Sequence, residues 1–243
     1  MSANTATENI DETPHEEDKG FFHKSDRIEL IATIAIAIAT ILTAWSAFEA
    51  GKWGGTQAIN FSEAGAARTE STRADTLAGQ LTQIDVAMYL DWVEAVASEV
   101  KEGEIPSLEE GLSAPQLGTV SGFLRVRFRD EFVPAVDAWV ATDPANNPAA
   151  PKTPFVMDEY VVAKAVEANA LSALADEKAQ DARDANQNGD NYVLTMVLFA
   201  SVLFFSGVSS KMGSHRNQLL MLGFGIVILV IGVVILASLP VLV

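Results

Sequence analysis

The chain has 243 residues, a formal charge of −16, 49% hydrophobic residues and no Cys. Without Cys, disulfides, thiolate nucleophiles, zinc–thiolate sites and iron–sulfur clusters are excluded. The acidity offers no basic patch to displace counterions from nucleic acid, and acts mainly through solubility and self-repulsion.

The apolar residues fall in three blocks, Leu30–Phe48, Tyr192–Val208 and Leu219–Val243. Each is about the length of helix that crosses a hydrocarbon core of about 30 Å. An all-α membrane protein with three transmembrane helices is therefore expected.

Residues 1–25 are polar and acidic and read as a disordered cytoplasmic tail. His15 and His23 lie beside carboxylates there, but solvated side chains explain them better than a metal site. Asp26, with Glu29 three residues on, suits a capping box opening the first span, residues 26–50. Ala44-Trp45-Ser46 offers the small residues of a signal-peptide cleavage site. The uncharged run before it is too long for a signal h-region, and an acidic segment precedes it, so the run reads as a span.

At the exit of this span, Trp45, Glu49, Trp53 and Gln57 recur every four residues and share one helix face. This line has two readings. One is a carboxylate walled by indoles, binding a cation or a polar headgroup. The other is an aromatic belt with a Glu that snorkels or pairs with Lys52. Gly51, Gly54 and Gly55 loosen the helix here, so a kink or hinge is expected.

Residues 51–190 read as an extracytoplasmic helical hairpin, with long helices at about 56–102 and 157–188 around an insert, 103–156. In the first helix, Leu77, Leu81, Ile84, Met88, Trp92, Val96 and Val100 mark the expected core face, and its length suggests a break. The insert carries Gly103, Pro106, Gly111 and Pro115 as breakers, then a helix over Leu117–Val140 interrupted at Pro134, then a loop with Pro144, Pro148, Pro151 and Pro154. In the second long helix, Val162, Val166, Ala170 and Leu174 mark the core face, continued by Ala175, Ala179, Ala182 and Ala185. The Ala-rich stretches predict close antiparallel packing of the two helices. Residues 191–209 form the second span, 210–217 a cytoplasmic loop, and 218–240 the third span. Gly225 and Gly232 lie on one stripe of the third span.

Lys24 and Arg27 flank the first span, and Lys211 and Arg216 lie in the short loop. The positive-inside rule then puts the N-terminus in the cytoplasm, with residues 51–190 and the C-terminus outside. The outer region holds 11 Lys and Arg against 23 Asp and Glu.

Two stretches carry a resemblance. One is the Trp-x-x-x-Glu-Ala-x-x-Trp block from Trp45 to Trp53. The other runs Arg127-Phe128-Arg129-Asp130-Glu131-Phe132 to Trp139, then Thr142-Asp143-Pro144, Asn147-Pro148 and Thr153-Pro154-Phe155. Together they resemble a group of uncharacterised bacterial membrane proteins with this three-span layout. The resemblance spans about residues 28–240; it implies a bacterial inner-membrane protein and no activity.

No catalytic arrangement is present. None of the three His falls in the outer region, no glycine loop suits phosphate, and no residue set is spaced for a metal. No enzyme activity and no cofactor is therefore expected. Arg125, Arg127 and Arg129 form either an anion clamp or an internal ion-pair cluster. The spans carry no charge in their interiors, which argues against a proton relay or coupled transporter. The expected partners are the lipid bilayer and either further copies or another membrane protein. Function is expected to be structural, as an interaction protein or homo-oligomeric accessory subunit. The alternative is an oligomeric ion or small-solute channel with a ring of Glu49 and Trp residues.

Overall fold

The computed structural model describes residues 24–113 and 115–242, and for 24–26 only the backbone. The expected disordered tail thus lies outside the described residues up to residue 23, and α1 already begins at Lys24, so Asp26 lies inside its first turn and not at its cap. The described residues are helical, without strands. In chain order they form α1 (Lys24–Glu102), α2 (Leu108–Ser113), α3 (Val120–Arg125), α4 (Val133–Val140), a 3-10 turn (Pro154–Val156), α5 (Ala163–Ser209) and α6 (His215–Ser238). Helices α1, α5 and α6 each contain a segment long and apolar enough to cross a membrane.

Two sequence expectations are corrected here. First, α1 runs through Gly51, Gly54 and Gly55 as one continuous 79-residue helix, without the expected break. No Pro lies within it to remove a backbone donor or clash with the preceding turn. Each Gly costs about 1 kcal/mol relative to Ala, which does not break a long packed helix. Second, the outer helix expected at 157–188 and the span expected at 191–209 are one helix, α5, which starts only at Ala163. Gly189 sits inside α5 for close approach. A Cβ there would lie 3.6 Å from Trp53 Cβ and 3.7 Å from the Ala50 carbonyl oxygen.

The chain divides into two compact units. The first comprises the residues up to Trp53 and those from Gln187 onward. Its buried positions are Ile28, Ala32, Ala35, Ala39, Ser46 and Glu49 on α1, then Tyr192, Thr195, Phe199, Val202, Ser206 and Ser209 on α5. Within each helix they recur at three or four residues, or the sum of both, which is the 3.5-residue repeat of a supercoiled seam. On α6, Leu222, Gly225 and Gly232 follow the same repeat. A Cβ at Gly232 would stand 2.7 Å from Phe199 Cε1, and one at Gly225 3.4 Å from Ser206 Oγ, so α6 lies directly against α5.

The second unit is Gly54–Asn186. Its seam is small: Ala64, Ala67, Ala74 and Ala78 on α1 are buried, as are Ala168, Ala175, Ala182 and Ala185 on α5. The pairing is antiparallel, fixed by Arg68–Asp176 at 2.7 Å, Lys178–Glu63 at 3.0 Å and a Ser71 hydroxyl donating to the Ala168 carbonyl at 2.8 Å. Lys178 holds its proton more tightly than a free lysine because of the hydrogen bond to Glu63. The larger apolar residues expected to face this core do not all do so. Leu77, Ile84, Val166 and Leu174 are exposed, because the small residues let the backbones approach and leave no room for them.

Beyond Ala78 the α1 seam changes to Asp85, Tyr89, Trp92, Val96 and Glu99. Here the partner is the insert. Phe128, Phe132, Ala135, Val136 and Trp139 complete a core with Tyr89, Trp92 and Val96, and Phe155 and Tyr160 pack against it. Phe132 and Phe155 stack at 5.2 Å, and Trp139 donates to the Pro151 carbonyl at 2.6 Å, pinning the proline-rich loop. Pro134 does not interrupt a helix but begins one, at the first turn of α4, where its missing N–H has no partner to lose. α1 itself ends in a Schellman motif. Gly103 has φ +80, its N–H donates to Val100 and that of Glu104 to Glu99.

Ala182 is fully buried in the small seam. Ala182→Leu is expected to overpack it and cost about 1–3 kcal/mol, read as a lowered melting temperature. An unchanged melting temperature contradicts the packing described.

Candidate functional site

Two clusters hold the residues singled out from the sequence, and each lies within one unit. The first surrounds Glu49. Its side chain is 1% exposed, which a belt residue would not be. Oε2 accepts the Leu242 N–H at 3.1 Å. Oε1 accepts no hydrogen bond from the described residues, and Lys52 Nζ stands 3.9 Å from it. Trp53 Nε1 and the Tyr192 hydroxyl both donate to the Pro240 carbonyl, at 3.2 and 3.1 Å.

Local sequence explains this arrangement. Leu239 leaves the helical conformation after Ser238, and Pro240 has no N–H to continue the ladder. The extended residues after α6 thus present backbone groups that need partners. One turn deeper, the Thr195 hydroxyl lies 2.9 Å from Ser46 Oγ and donates to the Tyr192 carbonyl at 2.7 Å.

Trp45 departs from this group. It is 44% exposed and tilts against Phe48, over which Lys52 sits at 5.5 Å. Gln57 is half-buried in the unit of residues 54–186. The structure therefore gathers Glu49 and Trp53 and leaves out Trp45. It adds Tyr192, Pro240 and Leu242, which sequence reasoning missed; the one available signal was a Pro closing the third apolar block. Chemically the cluster is a receptor for extended backbone, filled by the chain's own segment.

The second cluster holds the arginines. Arg129 Nε and Nη2 donate to the two oxygens of Asp85 at 2.9 and 2.8 Å, and Nη1 donates to Glu131 at 2.8 Å. Tyr160 donates to Asp85 Oδ2 at 3.1 Å. Asp85 is 1% exposed, so this is a bidentate pair at the edge of the aromatic core. The hydrogen bond to Asp85 raises the Arg129 pKa further above its ordinary value. Burial raises the phenol pKa of Tyr160 and Tyr89.

Arg125 pairs with Asp137 and lies over Phe128 at 5.2 Å and Trp92 at 6.0 Å. Arg127 stacks on Phe123 at 3.3 Å and donates to its carbonyl at 2.9 Å. The three guanidinium groups are directed to separate partners and do not converge on one anion. Asp85, Tyr160 and the buried Glu99–Ser121 pair were not anticipated, because their partners lie 22 to 75 residues away in sequence.

Among the described residues no three or more His, Asp or Glu are placed to hold a metal ion. No family model matches the chain, and neither a curated protein nor a solved structure matches it.

Two expectations follow. Asp85→Ala leaves the half-buried Arg129 guanidinium without its bidentate partner and with only Glu131. It should cost about 1.5–3 kcal/mol in thermal or denaturant unfolding; a loss below about 0.5 kcal/mol contradicts the pairing. At the other cluster, Trp53→Phe with Tyr192→Phe removes both donors to Pro240. A cysteine placed at Val241 should then react faster with a soluble maleimide than it does in the otherwise unaltered chain. Equal rates would show that these two donors do not hold the segment.

Proposed function

We propose that the protein is a membrane-anchored interaction protein, an accessory subunit or self-associating scaffold that presents residues 51–190 outside the cytoplasm. The orientation rests on Lys24, Arg27, Lys211 and Arg216, which flank the spans on the side proposed to be cytoplasmic. The bacterial inner membrane is proposed from the resemblance of the Trp45–Trp53 and Arg127–Phe155 segments.

One observation carries the reading. The insert uses its own aromatic residues to build a core, yet it leaves apolar side chains in solvent, of which Leu117, Phe123 and Val126 line one hollow. Leu117 is 87% exposed, Val120 63%, Phe123 55% and Val126 56%. Contiguous exposed apolar surface on a folded domain marks an interaction site. The spans add a second surface, since a third or less of each apolar window is buried inside the chain. Conduction by several copies would need a polar lining. Ser46, Glu49, Thr195, Ser206 and Ser209 are buried within the protomer, and the hydroxyls of Thr33, Thr40, Ser201 and Ser238 donate to carbonyls of their own helices. This favours the interaction reading over a channel.

Photo-crosslinking residues placed at Leu117 and Phe123 in native membranes should give discrete higher-mass adducts, whereas one at the exposed Asp158 should not. Monomer at every position overturns the proposal.

A further inference from the structure

A cleft of about 600 Å³ lies where the last turns of α1 meet α3. Val120 and Leu124 give it an apolar wall, and Glu94, Glu99, Glu102 and Glu104 line the rest, with Asp91 at its end. No Lys, Arg or His lines it. None of these carboxylates forms an ion pair among the described residues.

Glu99 is the informative member. It is 5% exposed, and its oxygens accept the Ser121 N–H at 2.9 Å and the Ser121 hydroxyl at 2.5 Å. Both donors are neutral. A buried carboxylate is ordinarily matched by a cation, as Asp85 is by Arg129 in the same unit. Glu99 has hydrogen bonds but no counter-charge, and it borders an open cleft. The missing charge therefore has a place from which to come.

We infer that this cleft docks a basic amphipathic helix of another protein. Its apolar face would lie against Val120 and Leu124 and its Lys or Arg residues against Glu99 and the acidic rim. This rests on the interaction reading above and names the partner class. Shape and charge select it together. An acidic rim alone would attract any cation, whereas an apolar wall beside it favours side chains that alternate at helical spacing. A second copy does not supply such a helix. Outside the Arg125–Arg129 cluster of the insert, whose guanidinium groups are committed to separate partners, the basic residues of the second unit do not form one face of a helix, and Arg68, Arg125, Arg129, Lys164 and Lys178 are already paired.

The test uses the full chain in neutral phosphatidylcholine nanodiscs, with empty discs as blank. The probes are a fluorescent helical Lys/Leu amphipathic peptide and a Lys/Ser peptide of equal charge and length. The Lys/Leu peptide should bind about tenfold more tightly than the Lys/Ser peptide. Glu94→Gln/Glu102→Gln/Glu104→Gln should weaken it about tenfold, and Val120→Ser about threefold. The matched surface variant Asp75→Asn/Asp158→Asn/Glu177→Gln should change affinity by less than about twofold. All replaced carboxylates are exposed, so the fold is retained. Equal loss in both triple variants, equal binding of both peptides, or no binding of the Lys/Leu peptide overturns the inference. If the crosslinks at Leu117 persist while the cleft variants bind as wild type, only the cleft assignment fails. If both are absent, the interaction reading fails with it.

Discussion

The structure depends on how closely two helices can approach. In the second unit the buried seam residues are Ala64, Ala67, Ala74 and Ala78 on α1 and Ala168, Ala175 and Ala182 on α5, with the half-buried Ser71 hydroxyl bonded across it to the Ala168 carbonyl. Small side chains bury little apolar surface per residue, so such a contact relies on dispersion between nearby backbones and on flanking ion pairs. The flanks supply Arg68–Asp176 and Lys178–Glu63. Where the seam residues of α1 become Tyr89, Trp92 and Val96, the partner becomes the insert, whose Phe128, Phe132 and Trp139 meet them. The size of the seam residue thus decides what packs there. Glycine extends the same logic in the first unit, where Gly232 admits the Phe199 ring.

Three carboxylates are buried along the α1 seam, and each is satisfied differently. Asp85 receives a bidentate guanidinium and a phenol. Glu49 receives a backbone N–H and a distant lysine. Glu99 receives a backbone N–H and a hydroxyl from one serine. Removing a charge from water is compensated best by an opposite charge in good geometry and less well by neutral donors. Asp85 is therefore the self-sufficient one, a structural clamp between α1 and the insert. Among the described side chains Glu49 has Lys52 at 3.9 Å, and Glu99 has neutral donors only. Such positions are where an exchangeable contact costs the fold least.

Much of the fold was legible in the sequence, for physical reasons. Uncharged runs near 20 residues mark helices that can cross a membrane, and the proline-rich stretch marks the loop pinned by Trp139. The Ala faces near 175–185 were legible because small residues at helical spacing have few other uses. The core face of the paired helices was misread from Leu77, Ile84, Val166 and Leu174, since large apolar residues were assumed to be buried. A helix pair with an alanine seam reverses that rule, leaving bulky residues to flank the contact. The glycines at 51–55 suggested a break because glycine is costly in isolated helices, but the helix on either side of them is long, and propagation of an existing ladder tolerates them.

The Trp45, Glu49, Trp53, Gln57 line shows how a correct periodicity can still mislead. Residues four apart on an α-helix are displaced by about 40° each, so the line drifts about 120° from first to last. A packed seam alternates three and four to cancel that drift, and here it runs Ser46, Glu49 and Trp53. The i+4 line crosses the seam instead of following it. Trp45 therefore falls outside, against Phe48, while Glu49 and Trp53 turn inward to the residues after α6. What looked like one aromatic-walled carboxylate site divides into an outward anchor and an inward clasp. The division follows from a half-residue difference in period, and only a knowledge of which neighbours pack could have revealed it.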